Sequence, residues 1–133
     1  MSHLIADIKG FTKAIRISHL LGIVVVQFLT ASYLIKVPID VLLNWEFILL
    51  TGSITMLAAA GYLINDYYDQ KIDLINRPDR VVVGIHLRRR RALAAHMGLS
   101  ILAVMIGLWI DRWLGLFNFF ASFMLWLHSN YFR

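Results

Sequence analysis

Asn65-Asp66-Tyr67-Tyr68-Asp69-Gln70-Lys71-Ile72-Asp73 places three carboxylates and an amide at the end of an apolar stretch running from Trp45 to Ile64. Charge set against hydrocarbon is costly and marks a functional site. On a single helix from Ala58 to Asp73, turning about 100° per residue, Asp66, Asp69 and Asp73 fall within roughly 60° of one another. Asn65 lies one turn before Asp69, so all four side chains can face one point. Carboxylates this close repel one another, and the arrangement makes most sense around a cation. Oxygen ligands with no Cys and no His among them favour a hard ion such as Mg²⁺ over zinc. Mg²⁺ completes its octahedron with water and phosphate oxygens, which implies a phosphorylated ligand. The plainer alternative, a solvated acidic helix end neutralised by nearby Lys and Arg, leaves both the Asn and the spacing unexplained.

The elements that must hold this cluster are membrane helices. The chain of 133 residues is 59% hydrophobic and only 16% charged, with a mean hydropathy of +0.69, which is too apolar for a soluble domain. Four apolar stretches are expected to cross the bilayer: Ile17–Ile35, Trp45–Ile64, Ala92–Ile110 and Trp113–Leu127, the last extended through His128–Phe132. The first reads as a retained helix rather than a signal peptide, because Asp7 precedes it and no small-residue cleavage site follows Ser32. The fold expected is all-α: one polytopic helical bundle over residues 1–133, with a loop spanning 65–91 that carries the acidic motif. With no cysteine, the chain has no disulfides, thiolate metal sites or Cys nucleophiles.

A net charge of +5 could suggest nucleic acid, but its distribution points to topology instead. Eleven Lys and Arg fall on one side of the expected spans: Lys9, Lys13, Arg16, Lys71, Arg77, Arg80, Arg88 to Arg91 and Arg133. Only Lys36 and Arg112 fall on the other. Both termini and the acidic motif are therefore expected in the cytoplasm, on an inner or plasma membrane, with no nucleic-acid partner.

Residues 1–16 read as an amphipathic lead-in, with Leu4, Ile5, Ile8, Phe11 and Ile15 on one face and Lys9, Lys13 and Arg16 reaching lipid head groups. Lys36 to Asp40 is a short turn around Pro38. Asn76-Arg77-Pro78 stops the acidic helix, and Gly84 gives the following stretch a flexible point. Arg88 to Arg91 read as a topology signal against anionic lipid. Gln27 either faces a cavity or bonds a neighbouring helix, and His86, His96 and His128 read as interfacial. Gly52, Gly61, Gly98 and Gly107 are expected where helices approach closely.

The Asn-Asp-x-x-Asp-x-x-x-Asp string ending an apolar helix, followed by Asn76-Arg77-Pro78 and a basic loop, resembles the first signature of the UbiA-type intramembrane prenyltransferases. That resemblance implies a bundle usually of nine spans, of which this chain would supply the first four. It also implies transfer of a polyprenyl group from its diphosphate to an aromatic or lipid-like hydrophobic acceptor. Carried onto this chain, Asp66, Asp69 and Asp73 would hold Mg²⁺ against the diphosphate and act as the catalytic set. Asn65 would support them, Lys71 and Arg77 would contact the diphosphate, and Arg16 and His19 lie where the family places polar substrate-binding residues. Tyr62, Tyr67 and Tyr68 could stabilise an allylic cation through their ring faces.

The chain departs from the family in two places. No residue after Asp111 is acidic, whereas the family has a second Asp-rich motif in later helices, and Val81 follows Arg80 where a second Pro is common. The chain is accordingly expected to be inactive without a C-terminal half, possible as a partner chain. The alternative is a non-catalytic membrane fragment or assembly partner of a split prenyltransferase. CDP-alcohol phosphotransferases also use membrane-edge aspartates, but they need a Gly after the second Asp, where Gln70 stands.

Overall fold

A computed structural model describes residues 2–76 and 78–131. The described residues are helical apart from short turns, in the order α1 (Ser2–Ala14), α2 (Ile17–Leu29), α3 (Ile39–Leu42), α4 (Trp45–Asn76), α5 (Arg89–Ile110) and α6 (Arg112–Tyr131). α2 continues into a π-helical turn, Thr30–Leu34, and Pro78–Arg80 form one turn of 3-10 helix.

α4 organises the bundle. Its 32 residues contain no Pro, carry the strong helix formers Ala58 to Ala60, and end at Asn76, two residues before Pro78. At 1.5 Å per residue it is about 48 Å long against about 30 Å of hydrocarbon, so its last turns project beyond an apolar span of ordinary length. The acidic string is thus continuous with the second span, as its periodicity predicted. α5 and α6 pack against α4 as a hairpin joined only by Asp111. That hairpin closes where a Cβ on Gly107 would sit 2.9 Å from the Cα of Gly115, whereas Gly52 and Gly98 face open space.

Polar side chains bind these helices together. The His96 Nδ1–H donates to the Ala60 carbonyl at 3.0 Å, tying α5 to α4, so His96 is a buried cross-link and not interfacial. Asn118, fully buried on α6, donates to the Ala103 carbonyl at 2.8 Å. Gln27 resolves as a helix contact, with its Nε2 donating to the Thr55 hydroxyl at 3.5 Å.

The apolar core sits at the acidic end. Ala14, Leu63, Val82, Val83, Leu87 and Ala92 pack together, with Phe11, Ile15, Ala95 and Leu99 against them. The segment after the acidic helix is therefore a packed turn and not a flexible loop. His86 and Leu87 donate backbone N–H groups to the Val82 carbonyl, and Gly84 turns at φ +94° under the side chain of Gln70.

Among the described residues three helical segments are long and apolar enough to cross a membrane: Ile17–Leu34, Trp45–Asn76 and Arg89–Ile110. The expected fourth, α6, has 20 residues but does not reach that apolarity, since Asn118, Ser122, His128, Ser129 and Asn130 dilute it. The molecule is an integral membrane protein built as an all-α bundle.

Candidate active site

Two helix corners and a turn form a cleft of about 440 Å³ at the acidic end. Asp66, Gln70 and Asp73 line one wall from α4. Seven residues is almost two full turns, so Asp66 and Asp73 project on the same side. Lys13, Arg16 and His19 line the opposite wall, from the corner between α1 and α2. Asp79, Val81 and Val82 close the floor from the turn after α4. An acidic wall thus faces a basic one.

The corner depends on Arg16. Its backbone is left-handed, with φ 53° and ψ 61°, a conformation that ends α1, starts α2, and costs a non-glycine residue on the order of 1 kcal/mol. Arg16 Nη2 donates to Asp66 Oδ1 at 3.2 Å, and this is an ion pair between a half-exposed guanidinium and a largely buried carboxylate. The guanidinium also lies 5.0 Å from the centre of the Tyr62 ring, whose other neighbour is His19 at 6.0 Å. The negative charges of Asp73 and Asp69 both bear on Asp66, and Arg16 opposes them.

The other expected site residues are divided. Asn65 lines a second hollow of about 290 Å³, together with Ala58, Gly61 and Tyr62 from α4 and Leu125, His128 and Ser129 from α6. Arg16 borders both hollows. Asp69 is half-buried and Lys71 exposed, and neither lines either hollow; Lys71 is rotated about 140° from Asp66 around the helix. Arg77 lies outside the described residues. Of the three tyrosines, Tyr62 lines a hollow, while the Tyr67 ring lies under the Arg89 guanidinium at 4.5 Å.

Lys13, Gln70 and Asp79 escaped the sequence reading. Lys13 was expected at lipid head groups, but the break at Arg16 folds α1 back so that it reaches the cleft. No Gly or Pro marks that break. The signal that could have found Lys13 is its spacing of three from Arg16, which puts the two on one helix side.

Among the described residues no three His, Cys, Asp or Glu side chains stand close enough to hold a metal ion by themselves. The carboxylates of Asp66, Asp73 and Asp79 in one cleft nonetheless fit Mg²⁺ in its usual mode, which takes one or two carboxylates and fills the remaining positions with water and phosphate oxygens.

Comparison with known proteins bears on the family of the chain. The model of the UbiA prenyltransferase family matches residues 11–133. A digeranylgeranylglyceryl phosphate synthase from Sulfurisphaera tokodaii is 28% identical over 95% of this chain and 43% of its own length. One from Sulfolobus acidocaldarius is 30% identical over 96% of this chain and 44% of its own. A third, from Methanoregula boonei, is 41% identical over 44% of this chain and 21% of its own. The chain spans less than half the length of these curated relatives. No solved structure matches. With the match starting inside the helix that carries Lys13 and continuing through the acidic string to the last residue, this chain belongs to the UbiA prenyltransferase family.

Proposed function

We propose that this chain forms the diphosphate-binding part of a Mg²⁺-dependent membrane prenyltransferase, which moves a polyprenyl group from its diphosphate to a lipid-like acceptor. One observation carries the reading: a cleft with Asp66 and Asp73 on one wall and Lys13 and Arg16 on the other, at the end of a membrane helix. Both walls are needed for a ligand that brings its own divalent cation to an anionic diphosphate. The relatives' name extends the proposal to an acceptor that is itself an isoprenoid glycerol phosphate.

Asp66 and Asp73 would hold the cation, with Asp69 adding negative charge from the neighbouring face. Bound Mg²⁺ would neutralise charge on the departing diphosphate. Lys13 and Arg16 would meet phosphate oxygens directly, Arg16 through its two-pronged donor set. Loss of the diphosphate leaves positive charge on the allylic carbon. The Tyr62 ring, lining the adjoining hollow, is the aromatic face available to it. The acceptor oxygen then bonds to that carbon and its proton is lost. Buried apolar side chains beneath the cleft, Val81 and Val82, limit water that would otherwise capture the cation.

The proposal places the acidic end in the cytoplasm with both termini. A Cys introduced at Ser2 should react with an impermeant thiol reagent only from the cytoplasmic side, and labelling from the other face would reverse the topology.

The acidic wall here supplies one side of the metal site, so the 133-residue chain alone is expected to show no Mg²⁺-dependent prenyl transfer. Fusing or co-expressing it with the C-terminal half of a relative should produce transfer from geranylgeranyl diphosphate. Absence of transfer by the assembled protein, with folding intact, would favour the non-catalytic reading. Turnover by the purified short chain would show that one acidic wall suffices or that two copies complete the site.

A further inference from the structure

Among the described residues Arg16 alone lines both the carboxylate cleft and the Tyr62 hollow. We propose that it competes with a divalent cation for Asp66, and that it is handed to the phosphate oxygens of a diphosphate when the cation binds. This rests on the prenyl diphosphate reading above and adds an order of events to it.

Three observations support the exchange. Asp66 is largely buried and has the negative charges of Asp69 and Asp73 bearing on it, so it needs a positive partner, and Arg16 supplies one. The pair is nevertheless suited to exchange: a single contact at 3.2 Å through Nη2, on a guanidinium that is 43% exposed, is a weak tie that a divalent cation can replace. The anchor is fixed while the head is half-exposed. Left-handed backbone at the corner of α1 and α2 holds the Cα, and the guanidinium, above the Tyr62 ring, already borders both hollows.

Released from Asp66, the guanidinium stays on the wall that carries Lys13 and His19. Its planar fork suits phosphate oxygens better than a lysine would. The exchange replaces one ion pair with two, metal to Asp66 and guanidinium to phosphate. It would also discourage the metal from settling in the cleft without its anionic substrate.

The two roles predict changes of opposite sign. In lipid nanodiscs, titration calorimetry should show Mg²⁺ alone binding Arg16→Gln about fivefold more tightly than the unmodified chain, because its competitor is gone. Inorganic pyrophosphate, added with saturating Mg²⁺, should bind the same variant about tenfold more weakly. Arg16→Gly removes the guanidinium while relaxing the left-handed backbone, so it must show the same pair of changes if they come from charge rather than from a damaged corner. Mg²⁺ affinity that stays level or falls in both variants overturns the exchange. Failure of the protein assembled with a C-terminal half to bind pyrophosphate with Mg²⁺ overturns the prenyl diphosphate reading itself.

Discussion

α2 with its π-helical continuation, Ile17–Leu34, and α4 are both apolar helical segments long enough to cross a bilayer, yet 44% of the most apolar stretch of α4 is buried against only 11% for the first segment. Hydropathy alone does not separate them. α4 packs on α2, α5 and α6 and carries the acidic wall beyond its apolar length. α2 touches the rest along one side through Gln27 and Phe28, and turns Leu21, Val25, Val26 and Leu29 outward. The difference shows that in a membrane protein apolarity reports the solvent an element can tolerate. Its structural weight is set by neighbours, since lipid and protein interior are equally apolar.

The sharpest test of that contrast is chemical. In the assembled transferase, Asp66→Ala and Asp73→Ala should each lower transfer by about a thousandfold or more, because charge stabilisation of the departing diphosphate is worth several kcal/mol. Asp69→Ala should cost less, as its side chain does not line the cleft. Val25→Ala on α2 should leave turnover unchanged. Steady-state rates with radiolabelled geranylgeranyl diphosphate decide it, and a greater loss for Asp69→Ala than for Asp73→Ala would move the site to another face of α4.

Packing provides the next test. Leu63 is fully buried in the core at the acidic end, and Leu63→Ala should destabilise the fold by about 2–3 kcal/mol. Val26 on α2 is 60% exposed, and Val26→Ala should fall within about 0.5 kcal/mol. Thermal unfolding in detergent compares the two directly. Equal effects would mean that α2 is as tightly held as α4.

Gly84→Ala probes the turn that floors the cleft. A φ of +94° disfavours any side chain, and the new methyl would meet Gln70, so a loss of about 1–2 kcal/mol is expected in the same melt. Gln70 must shift with it, which makes weaker pyrophosphate binding a second readout. A smaller loss than that of Gly84→Ala should come from Gln27→Leu. It removes the 3.5 Å bond between α2 and α4, a polar tie of a kind that averages about 0.6 kcal/mol in membranes. A melt displaced as far as that of Leu63→Ala would show α2 anchored by this one bond.

Much of the molecule is legible without coordinates, for physical reasons. Uninterrupted apolar length dictates the membrane helices, since backbone polar groups in hydrocarbon must bond within their own segment. The absence of Pro between Val37 and Asn76, apart from Pro38 at the start, lets α4 run unbroken into its acidic end. Helical periodicity then puts Asp66 and Asp73 together. α6 is less apolar than its aromatic residues suggest, because Asn118, His128, Ser129 and Asn130 are interleaved with them.

Tertiary structure alone decided what faces those carboxylates. Periodicity describes one helix at a time and ends where a helix breaks, and Arg16 breaks it with a left-handed backbone in a residue that carries no such signal. From that corner follow the ion pair to Asp66, fifty residues away, and the arrival of Lys13 in the cleft instead of at the lipid. The same limit explains Val81 to Val83, loop by composition yet buried because α1 closes over them. Asn65 shows it in miniature: one residue from Asp66, it turns about 100° away and serves another hollow, which only the position of α6 reveals.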